Sequence, residues 1–387
     1  MSYTGQADQV PVAYVITSLS MGGAQKVLLG LLASGLSQRY PPLVISLRRT
    51  PGLEAEFRGL GVEPFYVGLE QPWRVLGNLR RLLALLKAHD VRLLYSLMHH
   101  ANLFAVLLRY LLGKPRPALV WSLHDTPVKN LYTRWSHRFF LWLTCRLSHI
   151  PERIVLVSER SRTRYLELGY PAASTTLIPN GVDVPTLEPD RIIANRHAVR
   201  TELGLSPASL LVGSLTRAVP EKDLPCMLEA FALLAPDMPN LHLLLAGEGV
   251  DAGNNDLVQQ VNQHGLAGRV HLLGVRSDAK RLIRALDVAT LSSRSEAFPL
   301  FIAEAMALGI PCVATDVGDI AHLLGGHGLL VPAGDAAPLA TAWRQVLHWS
   351  SSQRSAWVNA AWERVNSQFS LQQMVKRHAA LFAELGW

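Results

Sequence analysis

Four segments of this chain place charged or flexible residues where they could hold an anion. Thr216-Arg217-Ala218-Val219-Pro220-Glu221-Lys222 sets two cations five residues apart, directly after the apolar run 210–215. Arg presents a planar fork and Lys a point charge, so together they can grip a diphosphate. Residues 292–309 carry a second pattern. Pro299 suits the first turn of a helix and Gly309 its end. Glu304 then falls inside an otherwise apolar helix, 300–308, where a carboxylate needs a partner or a ligand. The first amides of that helix, at Leu300 and Phe301, would point at any group above its N-terminus, and Glu296 stands just before it. Ser18-Leu19-Ser20-Met21-Gly22-Gly23-Ala24 follows another apolar run, and Gly22 and Gly23 let backbone amides approach an anion. Finally, His124-Asp125 closes the run 119–123, from which a histidine can reach into a cleft. Each segment alone has a plainer reading: solvated charges, a tight turn, or a structural histidine.

These loops need strands to carry them. Apolar, β-rich runs occur at 12–17, 43–47, 62–67, 93–97, 119–123 and 154–157, with helical stretches such as 23–36 and 76–89 between them. The second half repeats the arrangement at 210–215, 241–246, 270–273, 288–291, 312–315 and 329–331, with helices including 225–234, 279–285 and 300–308. Strands this apolar, separated by helices, indicate parallel sheets covered on both faces. The expected fold is α/β, with two Rossmann-like doubly wound domains facing a central cleft. Asn180-Gly181-Val182-Asp183 and the polar stretch 185–200 read as a turn and linker. The expected domains are 1–190 and 191–369, with a C-terminal helix over about 370–387 packing back on the first. In such sheets ligands bind at the carboxyl ends of the strands, which is where the four segments lie.

The composition narrows the classes. The 387 residues are 49% hydrophobic and 17% charged, which excludes disorder and provides for large cores. Cys145, Cys226 and Cys312 are far apart, which excludes a zinc ribbon, a CxxC redox site and a disulfide-stapled fold. The polar start MSYTGQADQV has no basic region before its apolar run, and no segment reaches about 18 apolar residues. A cytoplasmic protein is expected. Residues 1–190 hold 21 Lys+Arg against 13 Asp+Glu, a net of +8; residues 191–387 hold 16 against 17, a net of −1. The basic half suits an anionic membrane surface, a lipid phosphate or nucleic acid. The stretch 129–142 interleaves Lys129, Arg134 and Arg138 with aromatics, as an interfacial segment would. A helix turning those aromatics to its own core is the alternative. No nucleic-acid motif accompanies the charge, so no nucleic-acid partner is expected.

These pieces, in this order, resemble the retaining GT-B glycosyltransferases of family 4, over about residues 12–385. The resemblance rests on Met21-Gly22-Gly23-Ala24, His124-Asp125, Ile178-Pro179-Asn180-Gly181-Val182-Asp183 and Arg217 with Pro220-Glu221-Lys222. It continues through Ala246-Gly247-Glu248-Gly249, Leu273-Gly274, and Glu296 with Glu304 in an E-x7-E pattern. It implies an acceptor-binding first domain and a second domain that binds a nucleotide diphosphate sugar. Arg217 and Lys222, with amides of Gly23, Leu300 and Phe301, would take the diphosphate. Glu304 would take the ribose, Glu296 the transferred sugar, and Gly274-Val275-Arg276 the nucleobase. His124 would sit at the reacting centre. Three positions depart from the family pattern, which has glycine where this chain has Thr216, Asp223 and Ala297. Asp223 would disfavour a diphosphate if it faced inward.

The resemblance implies transfer of a sugar, UDP-linked on family frequency, to a lipid-linked or glycan acceptor in bacterial surface polysaccharide assembly. The enzyme would lie on the inner face of the cytoplasmic membrane. Fixed cations can stabilise a leaving diphosphate, and no DxD motif occurs, so neither metal nor cofactor is expected. The rival readings are a sugar-nucleotide epimerase-like GT-B enzyme and a non-catalytic sugar-nucleotide-binding scaffold.

Overall fold

The computed structural model describes residues 9–127 and 135–387. The chain forms two compact units, Met1–Gly181 with Leu371–Trp387, and Val182–Ser370. The division between Gly181 and Val182 falls ahead of the 190/191 boundary read from the sequence.

The first unit is built on seven strands: β1 (Val12–Ile16), β2 (Pro42–Ser46), β3 (Phe65–Tyr66), β4 (Leu93–Leu97), β5 (Ala118–Leu123), β6 (Arg153–Leu156) and β7 (Thr175–Leu177). All pair in parallel, in the order β3-β2-β1-β4-β5-β6-β7. β1 and β4 are buried at every residue, which explains why they are almost wholly apolar, Ser96 in β4 being the exception. The order reverses between β1 and β4, so the loops leaving those strands diverge and leave a crevice at their carboxyl ends. The C-terminal helix Leu371–Glu384 completes the unit. It buries Met374, His378, Leu381 and Phe382, a helical spacing, and sets Phe382 edge-on to Tyr40 at 5.1 Å between ring centroids.

The second unit has six parallel strands: β8 (Leu210–Leu215), β9 (Leu241–Ala246), β10 (Val270–Leu272), β11 (Val288–Leu291), β12 (Cys312–Thr315) and β13 (Leu329–Val331). Their order is β10-β9-β8-β11-β12-β13, again with a reversal, between β8 and β11. Two of the four segments singled out above, 216–222 and 292–299, leave those two strands. Trp343 closes the core, its indole N–H donating to Thr290 Oγ1 at 2.8 Å, so the ring's one polar atom is satisfied where it is buried.

Three elements differ from the sequence reading. The stretch 185–200, read as a linker, is mostly the helix Pro189–Glu202. It buries only the adjacent Val199 and Arg200, one of them charged, so no apolar stripe at helical spacing announces it. Strand β7 was missed because Thr175-Thr176-Leu177 is a short, half-buried edge without an apolar run. The helical stretch expected over 23–36 is α-helical over Gly23–Leu31 and continues as a π-helical turn over Leu32–Leu36, kinked at Gly35, where φ is 86°.

Candidate active site

The loop after β8 and the loop after β11 meet through side chains. Lys222 Nζ donates to Glu296 Oε1 at 2.5 Å, and Ser293 Oγ donates to the same oxygen at 2.7 Å. Both charged groups are largely buried, at 19% and 9% exposure, so the pair is desolvated enough to hold one geometry. The backbone beneath them is tied. Ser292 Oγ donates to the carbonyls of Lys222 and Asp223, each at 2.9 Å, and Arg294 N donates to the Glu221 carbonyl. Gly318 is required here: a Cβ on it would stand 2.0 Å from the Glu296 carbonyl oxygen.

Asp223 resolves the departure noted above. It takes φ 46°, the left-handed region that glycine occupies freely and Asp tolerates better than most residues. Its buried carboxylate accepts from Arg294 Nε at 2.7 Å, so the charge is paired within the loop. Arg294 and Ser293 are the site residues that the sequence reading missed. A serine-rich run gives no sign that one hydroxyl will orient a carboxylate.

Past Pro299 the helix Leu300–Ala307 begins. The amides of Ile302 and Ala303 donate to the Pro299 carbonyl, while those of Leu300 and Phe301 have no acceptor among the described residues. These are the donors that a helix start offers to an anion. Leu300 and Glu304 are the half-buried positions of this helix, one turn apart on a single face. The Arg217 guanidinium is exposed and has no side-chain partner among the described residues. Gly274, at φ 64°, links the loops after β9 and β10: its amide donates to the Val250 carbonyl and its carbonyl accepts from Gly247, both at 2.7 Å. Val275 is exposed. Arg276 is committed to Asp278 at 2.8 Å and Glu202 at 2.9 Å. Arg276 and Arg281 hold Asp278 well below the usual carboxylate range.

The first unit holds the other candidates. Gly22 is extended and precedes the helix Gly23–Leu31, and its carbonyl accepts from the Lys26 amide. His124 leaves β5. Burial pushes its pKa down to about 4, against the opposing pull of Asp125, so the ring is neutral near pH 7. Nε2 lies 3.0 Å from Ser122 Oγ. Nδ1 and Asn180 Oδ1 are buried in the same small cavity, neither in a hydrogen bond of good geometry, and Asn180 pulls the ring's pKa up against burial. Asp125 is turned to a different network: it accepts from Tyr165 Oη at 2.8 Å and lies 3.3 Å from His99 Nε2.

Among the described residues, no group of three or more His, Cys, Asp or Glu side chains is placed to hold a metal ion. No helix among them is long and apolar enough to cross a membrane.

Residues 21–185 match the model of Glycosyltransferase Family 4, and residues 206–348 match that of Glycosyl transferases group 1. The chain is 28% identical to the lipopolysaccharide core biosynthesis mannosyltransferase LpsB of Rhizobium meliloti (strain 1021), over 56% of this chain and 62% of that protein. It is 25% identical to N-acetyl-alpha-D-glucosaminyl L-malate synthase of Bacillus anthracis, over 76% of this chain and 75% of the other. In three dimensions it is similar to Anabaena Alr3699/HepE, crystallised in complex with UDP and glucose. There the TM-score is 0.83 at 23% identity, covering 97% of this chain and 100% of that one.

Proposed function

This chain belongs to the glycosyl transferases of group 1 and family 4, with the two parallel-sheet domains of the GT-B class, and from that premise we propose its reaction. It moves a sugar from a nucleotide diphosphate donor, a UDP-sugar, to a lipid-linked or glycan acceptor, with retention at the anomeric carbon. The pathway is assembly of a bacterial surface polysaccharide, as the lipopolysaccharide role in the name of the similar mannosyltransferase suggests.

One observation carries the reading: the Lys222–Glu296 pair, held on two strand-end loops, beside a helix whose Leu300 and Phe301 amides are open. Cleaving a sugar–phosphate bond loads negative charge on the leaving diphosphate. Arg217, Lys222 and the amides of Gly23, Leu300 and Phe301 take up that charge without reorganising. Glu296 then binds the transferred sugar, Glu304 binds the ribose hydroxyls, and the Gly274-Val275 backbone frames the base. His124, neutral, serves the reacting centre. Fixed cations make a metal unnecessary in this scheme, so activity should survive excess EDTA. Loss of activity restored by Mg²⁺ or Mn²⁺ would contradict it.

Donor identity is tested by thermal shift across UDP-, GDP- and ADP-sugars. The right donor at 100 times its Kd adds roughly 2.7 kcal/mol. Glu304→Gln should weaken that donor, and a 2′,3′-dideoxy analogue should lose little more in the variant. Full additivity of the two changes would remove Glu304 from the ribose. Donor turnover separates this enzyme from a non-catalytic binder.

We also propose peripheral contact with the anionic inner face of the cytoplasmic membrane through the first unit. Lys129 and Arg134 lie outside the described residues. In the helix Trp135–Leu147, Arg138 is exposed, and Phe139 and Trp142 are about half exposed, so these aromatics are not spent on the core. A second patch supports the reading. The helix Pro72–Ala88 carries Arg74, Arg80, Arg81 and Lys87 and no carboxylate. Trp73 is 77% and Leu76 61% exposed on it, a mixture that suits the headgroup layer.

A further inference from the structure

The first unit holds a pocket that the transfer scheme does not use. It has a volume of about 510 Å³ and opens where the chain leaves β2, at Arg49, and β3, at Gly68, against the helix Pro72–Ala88. Arg49, Arg74 and Arg81 line it, and Glu70 is the one carboxylate among its lining residues, so three cations stand against one anion. None of the three guanidinium groups makes an ion pair or a side-chain hydrogen bond among the described residues. Arg49 lies over the Tyr66 ring, 5.3 Å from its centroid, which leaves its N–H edge for a ligand. Elsewhere in this unit Arg58, Arg92, Arg109 and Arg164 are each paired with a carboxylate.

The helix explains why these cations converge. At about 100° per residue, Arg74, Gly77 and Arg81 fall within an arc of roughly 60°, and Arg80 and Lys87 fall outside it. Asn78 Nδ2 donates to the Val67 carbonyl at 3.0 Å and ties the helix to the end of β3. Between the two arginines stands Gly77, exposed inside the helix. A glycine there weakens the helix, so its presence needs a reason. Packing gives none, because a Cβ on Gly77 would meet nothing within 4 Å. Backbone conformation gives none either, since its φ is not positive. What the missing side chain provides is open space between Arg74 and Arg81.

Unpaired guanidinium groups around an open, positively charged hollow suit a phosphate group, whose oxygens accept from planar forks on several sides. The segment that follows β2 also lies against the first loop. The Arg48 amide donates to the Thr17 carbonyl at 3.0 Å and the Leu53 amide to that of Leu19 at 2.8 Å. That loop runs on into Gly22 and Gly23. We propose that Arg49, Arg74 and Arg81 bind a phosphate or diphosphate group of the acceptor, with Gly77 keeping the space between them open. That the phosphate is the acceptor's rests on the reaction proposed above, in which the donor's diphosphate has its cations in the second unit; the phosphate site itself does not.

The probe is inorganic pyrophosphate, added to the full-length protein. Arginine Nε–H signals in ¹H–¹⁵N spectra, assigned through Arg49→Gln, Arg74→Gln and Arg81→Gln, follow this site alone, whatever pyrophosphate does in the second unit. All three should shift along one titration curve. Each Gln variant should weaken binding, read on the two remaining signals, about fivefold. Arg80→Gln, outside the arc, should change it less than about twofold. Gly77→Leu keeps every charge and favours the helix, so it should remove binding while the melting temperature holds or rises. Signals that do not move in wild type overturn the site, and so does a folded Gly77→Leu protein that binds as wild type does. Phosphatidylglycerol vesicles separate the two sources of phosphate. With the acceptor as source, Gly77→Leu and wild type bind vesicles alike. Vesicle binding lost in step with pyrophosphate binding would put a bulk lipid headgroup in the pocket and overturn the acceptor assignment. Should the protein transfer no sugar at all, the titration still decides the site.

Discussion

The two units fix their functional residues by opposite physical means. The second unit works with charges. Lys222 meets Glu296, Arg294 meets Asp223, and beneath them Asp287 accepts from Arg196, from Arg200 at 2.7 Å and from the Leu211 amide at 2.8 Å. The first unit keeps its candidate neutral. His124 is buried with Nε2 3.0 Å from Ser122 Oγ, and burial keeps its ring neutral. A site that must meet a diphosphate can use exposed and half-buried charge. A histidine buried at a strand end is held differently: desolvation keeps the ring unprotonated. Each difference between the units can be tested by removing one partner.

The largest effect should come from Asp287→Asn. Arg200 is 1% exposed, and the substitution strips it of its charge partner while changing little in shape. A buried charge left unpaired costs about 3–5 kcal/mol. Denaturant unfolding followed by hydrogen exchange should show the loss in amides of β8 and β11. Equal loss of protection across the first unit would mean that the two units do not unfold separately, and would break the comparison.

Lys222→Ala should come next, lowering kcat/KM by about 10²- to 10³-fold, or roughly 2.7–4 kcal/mol, the scale for a lost charge-stabilising donor. Arg217→Ala should cost less, since that guanidinium is exposed and screened by water. Near-wild-type turnover in both variants would remove the diphosphate grip from this unit.

The acid response is smaller, and its sign is fixed. An unfolded histidine takes its proton near pH 6.5, whereas His378 holds out to about pH 4. Its share of stability is therefore complete above about pH 6.5 and falls as pH drops toward 4. At pH 5 the loss is roughly 2 kcal/mol. His378→Gln should flatten the dependence of unfolding free energy on pH between 7 and 5, whatever its baseline. An unchanged slope would mean that His378 is not buried neutral. The second unit also has a reluctant histidine, His271, pushed down to about 4 by burial and by His242, so acid alone does not separate the units.

The same contrast explains what the sequence disclosed. Arg217, Lys222, Glu296 and Glu304 fall in two continuous segments, each at the end of an apolar strand, and a spacing rule can find them. Both parallel sheets were legible because their buried strands are mostly apolar runs. Tyr95 Oη and His378 Nε2 lie 2.9 Å apart across 283 residues of sequence, and nothing local marks either residue. The helix Pro189–Glu202 stayed hidden because it buries an arginine that a distant aspartate neutralises. Elements whose inward face is charged are solved only by their partners, and those partners are tertiary.

Per residue, the smallest effect concerns the membrane, where the first unit alone carries the excess charge. A cation near an anionic surface contributes about 1 kcal/mol, and the attraction fades beyond roughly 8 Å at physiological salt. Single Gln substitutions at Arg74, Arg80 or Arg81 should thus weaken binding to anionic vesicles about fivefold each. Trp73→Ala should reduce binding to anionic and neutral vesicles alike, because the ring's contribution is apolar burial. A second set, Lys129, Arg134 and Arg138 to Gln, reports on the other basic stretch. If only the first set weakens binding, the helix Pro72–Ala88 is the docking face. If only the second does, the 129–142 stretch is. Binding by wild type that neither set alters, at any salt, would reduce both patches to solubilising charge. The two units would then differ in how they hold their sites and not in where they meet a membrane.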